Sequence, residues 1–161
     1  PTTHHRRSIR LKDYDYSQCG AYFVTIVTWQ RAYLFGEIVD GKMKANDAGI
    51  LVQTEWKKLC TRFPGTYTED FVVMPDHMHA IIVLDPADGK SRLLGTIIGS
   101  YKSTVARLIN GLRHTQGAPV WQRNYYERII RDEKEFINFR NYIEDNPRRW
   151  WEDQVSLSRL P

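Results

Sequence analysis

Hydrophobic and polar positions change period several times along the chain, and each change marks an element. Residues 21–28 are dense in β-branched and aromatic side chains, which predicts a first strand. Residues 37–44 read as a small hairpin, because Asp40-Gly41 favours a tight primed turn. Asn46 is placed to cap a helix in which Ala48, Leu51, Val52, Glu55, Trp56 and Leu59 recur at helical spacing, up to Pro64-Gly65. Residues 67–74 and 77–84 are two apolar runs parted only by Pro75-Asp76, so the strands they predict are antiparallel neighbours. A polar loop at 85–91 leads to a second amphipathic helix, marked by Leu93, Leu94, Ile97, Ile98, Tyr101, Val105 and Leu108 and ending near Asn110-Gly111. After a break at 117–119, residues 120–130 predict a fourth strand. Asp132 caps a third helix from about 133 to 145, with Phe136, Phe139, Tyr142 and Ile143 at helical spacing; Pro147 is expected to stop it. Residues 150–161 read as an irregular tail.

Strand, helix, strand, strand, helix, strand, helix is the order of a ferredoxin-like (RRM-like) α+β fold. Helices pack on one face of an antiparallel sheet, and one further helix follows it. At 161 residues, with 42% hydrophobic and 26% charged side chains, one domain spanning 1–161 is expected, with a basic arm over 1–20. No apolar run is long enough to span a bilayer, and the N-terminus lacks a signal-peptide pattern. Cys19 and Cys60 stand in no disulfide or zinc motif. A reducing cytoplasm is the compartment these features predict.

The middle of the chain carries the first candidate chemistry. His77 and His79 open the third major strand, and alternation turns both to one face while Met78 takes the other. Two imidazoles side by side on a sheet form half of a divalent-metal site. On the third helix Tyr142 and Asn146 are four residues apart and share a face, so a phenol and an amide oxygen can approach the same ion. Oxygen beside two imidazoles suits Mg2+ or Mn2+ better than a closed structural zinc site. Such an ion polarises a phosphoryl oxygen, and a tyrosine nucleophile stores the energy of a broken phosphodiester.

The net charge of +4 is unevenly placed. Arg6, Arg7, Arg10 and Lys12 form a basic arm, and Arg148-Arg149 adjoins Trp150-Trp151. Basic residues interleaved with aromatics suit a phosphate backbone and unstacked bases.

Together these segments resemble a known family. Met74-Pro75-Asp76-His77-Met78-His79 is similar to the His-hydrophobic-His signature of the HUH endonucleases. The arm 6–11, the strand 22–28, Lys102-Ser103, the segment 121–133 and Tyr142-Ile143-Glu144-Asp145-Asn146-Pro147 match in the same order. The whole resembles the single-tyrosine transposases of bacterial insertion sequences (IS200-like), most closely the REP-associated tyrosine transposases. The resemblance implies that His77, His79 and Asn146 hold the metal, Mg2+ or Mn2+. It implies that Tyr142 is the nucleophile, forming a 5′-phosphotyrosine with single-stranded DNA beside a hairpin. Arg6, Arg7, Arg10, Lys12, Lys102, Arg123, Arg148 and Arg149 would then hold the DNA. Relatives are known as dimers that exchange the last helix and as monomers, so a homodimer is expected without excluding a monomer. Two positions depart from the pattern: Asp76, where relatives often carry asparagine, and Arg128, where many carry histidine. Tyr125 and Tyr126 remain alternative nucleophiles. A non-catalytic module for structured DNA or RNA, or a phosphodiesterase using water, would share the same residues.

Overall fold

The computed structural model describes residues 20–85 and 94–159. The expected basic arm and most of the polar loop lie outside these residues. Four strands form the main sheet: β1 (Gly20–Val27), β4 (Thr66–Met74), β5 (His77–Leu84) and β6 (Tyr126–Ile129), in the order β4-β5-β1-β6. All its pairings are antiparallel. Between β1 and β4 come the hairpin β2 (Gly36–Val39) and β3 (Lys42–Ala45), then helix α1 (Asp47–Arg62). Helix α2 (Leu94–Arg113) links β5 to β6, and α3 (Glu133–Ser158) follows β6. This is the expected ferredoxin-like arrangement. Two split β-α-β units place β5 and β1 at the centre of the sheet.

The period-two alternation of the central strands feeds two cores. Val24, Ile26, Met78, Ala80 and Ile82 pack with Val52, Trp56 and Leu59 of α1 and with Ile97, Ile98, Tyr101 and Val105 of α2. From the opposite face Ala21, Ile81 and Val83 meet Phe136 and Ile143 of α3. Every residue of β5 is buried because the sheet is covered on both sides. The third helix thus lies on the histidine side of the sheet, away from the other two.

Trp56 is fully buried and meets Tyr101 edge to face at 5.1 Å. Trp56→Ala is expected to cost about 3–5 kcal/mol in urea unfolding. The lower end is favoured because the indole N–H has no hydrogen-bond partner to lose among the described residues.

Three boundaries differ from the sequence expectation. The fourth strand is short, Tyr126–Ile129 in place of 120–130. Trp121 makes only an isolated bridge to Thr28, and Asn124 turns the chain at φ +65°. Lys102 Nζ takes the Gln122 and Asn124 carbonyls at 2.8 and 2.7 Å, satisfying acceptors that a ladder would otherwise use. Helix α2 runs past Gly111 to Arg113 and ends where His114 adopts φ +57°; Thr115 caps it through N–H and Oγ1 bonds to Asn110.

The largest correction concerns Pro147. It sits inside α3, which continues to Ser158, so most of the expected irregular tail is helical. A mid-helix proline loses one backbone bond and crowds the preceding turn, about 3 kcal/mol against continuation. Tertiary contacts oppose that local cost. Beyond the proline, Trp150 packs on Tyr33 at 5.6 Å, and the backbone at Arg148 passes close over Gly41 of the hairpin.

Candidate metal and nucleophile site

Strand β5 positions the two histidines and β1 supplies their neighbours. His79 lies opposite Thr25, and His77 opposite Val27. The rings of His77 and His79 are 4.6 Å apart between centroids, and both side chains are buried. Each Nδ1 has a partner. His77 Nδ1 is 2.6 Å from Asp76 Oδ1, and His79 Nδ1 is 2.8 Å from the Thr25 hydroxyl. A carboxylate can only accept, so His77 donates from Nδ1, and Nε2 is the ring nitrogen turned away from Asp76. With both Nδ1 atoms engaged, both Nε2 atoms are the ones available to a ligand, the pattern of metal-binding histidines with an oriented outer shell.

Burial pushes the His79 imidazole down to about 3, with neighbouring His77 adding to the effect and Asp76 opposing it. His79 is therefore neutral near pH 7, as ligation requires. For Asp76, burial acts upward, but the hydrogen bond and charge of His77, with Arg31 beside it, hold the carboxyl below its ordinary range. Arg31 Nε donates to Asp76 Oδ2 at 3.2 Å.

Helix α3 brings the expected phenol and amide to this edge within a single chain. Asp132 caps its start by accepting from Glu135 N–H at 2.8 Å. Phe23 of β1 sets the docking: it stacks on Phe139 at 4.5 Å and on His79 at 5.2 Å, and meets Tyr142 edge-on at 6.0 Å. Tyr142 thereby sits 5.2 Å from the His79 ring, with the Arg149 guanidinium 5.5 Å over its face. Asn146 is buried one turn on, and its amide nitrogen makes a long 3.5 Å contact back to the Tyr142 carbonyl. All four candidates line one open cleft of about 640 Å³.

The donor set fits a divalent cation of the magnesium or manganese class: two imidazoles and one amide oxygen, with room left in the cleft for substrate oxygens. Among the described residues no group of three or more His, Cys, Asp or Glu side chains is arranged to hold a metal ion. The amide of Asn146 lines the same cleft as the two histidines, where it could serve as a third donor.

The other expected residues separate. Arg149 lines the cleft. Arg148, next in sequence, pairs with Glu152 at 3.0 Å and Asp145 at 3.6 Å on its own helix. Arg123 is exposed on the segment before β6. Lys102 is bound to the two carbonyls described above, and burial lowers its ammonium from the ordinary lysine value. Arg6, Arg7, Arg10 and Lys12 lie outside the described residues, as does Cys19. Arg128 rests over Phe139 at 5.9 Å. Of the alternative tyrosines, Tyr126 lines the same cleft, whereas Tyr125 donates to Glu127 at 3.4 Å, and burial followed by the Glu127 charge raises its phenol.

Thr25, Arg31 and Trp150 also line the cleft, and the sequence reading assigned none of them to it. The first depends on the β1–β5 register and the last on the helix surviving Pro147. Arg31 lies in a turn without periodicity, where no local signal exists.

Comparison with known proteins bears on this arrangement. The profile of the family described as "Transposase IS200 like" matches residues 15–146. The chain belongs to the IS200-like transposase family. A Haemophilus influenzae protein of no assigned activity is 38% identical over 170 residues, covering 94% of this chain and 93% of its own. A second protein of that organism, named as a REP-associated tyrosine transposase, is 28% identical over 140 residues, covering 83% and 73%. The solved structure of a REP-associated tyrosine transposase bound to a REP hairpin superposes with a TM-score of 0.54 at 22% identity, over 80% of this chain and 66% of that one. A Deinococcus radiodurans protein classed as a transposase gives a TM-score of 0.53 at 18% identity, over 83% and 93%. At these identities the two structures establish the shared fold. Among the described residues no helix is long and apolar enough to cross a membrane.

Proposed function

We propose that this transposase cleaves and rejoins single-stranded DNA beside hairpins, with Tyr142 as nucleophile and His77, His79 and Asn146 as the holders of Mg2+ or Mn2+. The observation that supports the reading is the seating of Tyr142 5.2 Å from His79 in the cleft where Asn146 also lies. When bound, the ion supplies Lewis-acid polarisation of the scissile phosphate and orients it.

The chain's own residues do the rest. Tyr142 Oη, losing its proton, attacks the phosphorus; the P–O3′ bond breaks, and the departing 3′-oxygen takes up a proton. The product is a 5′-phosphotyrosine and a free 3′-hydroxyl. Attack by a 3′-hydroxyl on that linkage restores the phosphodiester and the phenol without a nucleotide cofactor. The Arg149 guanidinium, 5.5 Å over the Tyr142 ring, stands beside the reacting group, where it can offset charge on the phosphate oxygens. Asp76 and Thr25 keep the two imidazoles aimed. The test is to incubate the protein with a hairpin-bearing single strand and Mn2+, and to look for a protein–DNA band that survives denaturation. No such band with any hairpin from a randomised pool would leave a binding module.

Salt dependence checks the DNA contacts separately. Affinity for the hairpin strand should fall steeply with ionic strength, about 0.7–0.9 log unit per phosphate contact per log unit of salt. Replacing Arg6, Arg7 and Arg10 with alanine should reduce that slope by roughly 2–3. A slope unchanged by the triple replacement would place the DNA away from the arm.

A further inference from the structure

We infer that Arg31 is a phosphate clamp for the substrate strand, anchored by Asp76 so that its guanidinium stands beside the histidine pair. The inference takes its substrate from the function proposed above and adds a contact residue to it.

The argument begins with the backbone. In the turn Trp29–Arg31, Gln30 and Arg31 both adopt left-handed conformations, φ +53° and +52°. Neither is glycine, and each such residue is costly unless its surroundings enforce it. Here they do. Thr28 N–H donates to the Asp76 carbonyl at 2.9 Å, Phe35 N–H to Pro75 at 3.1 Å, and Trp29 N–H to Val120 at 2.9 Å. The Thr28 hydroxyl is shared between the Ala32 and Asp76 carbonyls at 2.8 and 3.0 Å. The turn is therefore tied to the Pro75-Asp76 junction that opens the histidine strand.

What the enforced turn delivers is one side chain. Arg31 uses Nε on Asp76 Oδ2, while the other carboxylate oxygen receives His77 Nδ1. Asp76 is almost fully buried, whereas the Arg31 side chain is 60% exposed. Nε spends one of the five N–H donors of a guanidinium. Among the described residues the two terminal nitrogens keep four, in the planar fork that matches phosphate oxygens. Because Arg31 lines the cleft, those donors serve a group bound there. Pairing with the buried Asp76 employs Nε alone, so it does not explain why the exposed terminal fork is held beside the cleft. A phosphate-sized anion beside the metal-holding edge does.

The experiment measures binding, so that its outcome is separate from that of the cleavage assay. In a Tyr142→Phe background with Mn2+, a hairpin oligonucleotide chosen from a randomised pool is rebuilt with a neutral methylphosphonate at one linkage at a time. With Arg31 present, one linkage should lose about tenfold in affinity on neutralisation. With Arg31→Ala, neutralising that linkage should change affinity by less than about twofold. Arg31→Gln, which keeps the stem packing, should behave the same and covers a failure of the alanine variant to fold. Mn2+ binding without DNA, read by electron paramagnetic resonance, should stay within about threefold in both variants. Losses that add independently at every linkage overturn the clamp. So does a loss of Mn2+ affinity above tenfold in either variant, which would confine Arg31 to orienting His77. A missing covalent adduct with the coupling intact sinks the cleavage reading and leaves the clamp standing.

Discussion

Tyr142→Phe is expected to abolish the denaturation-resistant protein–DNA adduct while leaving hairpin binding within a few-fold of the unaltered protein. The substitution removes only Oη. The ring keeps its edge contact with Phe23, its place against His79 and the guanidinium of Arg149 over its face. Fold and DNA affinity should therefore survive, and the loss should fall on the chemical step. Removing a covalent nucleophile typically lowers turnover by about 10⁴-fold or more. The measurement is a labelled hairpin strand, Mn2+ and a denaturing gel, with a filter-binding curve on the same samples. Tyr126→Phe is the matched control, because Tyr126 lines the same cleft and is 66% exposed. An adduct retained by Tyr142→Phe and lost in Tyr126→Phe would move the nucleophile from α3 to β6.

The second large effect concerns the histidine edge. His77→Ala with His79→Ala should eliminate measurable Mn2+ binding and, with it, adduct formation, since two of three proposed protein donors disappear. Thr25→Val tests the outer shell. It keeps the shape beside His79 but removes the hydroxyl 2.8 Å from Nδ1, and should weaken Mn2+ by about 10–100-fold. Asn146→Ala should weaken the ion while leaving the histidine rings in place, because Asn146 makes no hydrogen bond to either imidazole. Thermal melts of each variant control for unfolding around the buried rings. Full Mn2+ affinity in the double histidine variant would place the ion elsewhere or remove it from the reaction.

Much of the architecture was readable from local pattern. Alternation in 77–84 put His77 and His79 on one face, and a spacing of four put Tyr142 and Asn146 together on a helix. The Asn46 and Asp132 caps stand where their residue types suggested, each accepting from the N–H three residues on. These features need only neighbours in sequence. The C-terminal helix is the counterexample. Proline at 147 argued locally for a stop, yet Trp150 against Tyr33 and the passage over Gly41 favour continuation. That difference brings Trp150 and the Arg149 guanidinium to the cleft.

By itself, then, the sequence determined which side chains share a face, because strand and helix periods are properties of adjacent residues. Tertiary structure decided that α3 lies over the histidine side of the sheet, that Thr25 meets His79, and that Arg31 reaches Asp76. Those pairings join residues 54, 45 and more positions apart. Their free energy comes from packing and hydrogen bonds between separate elements, which no local pattern encodes.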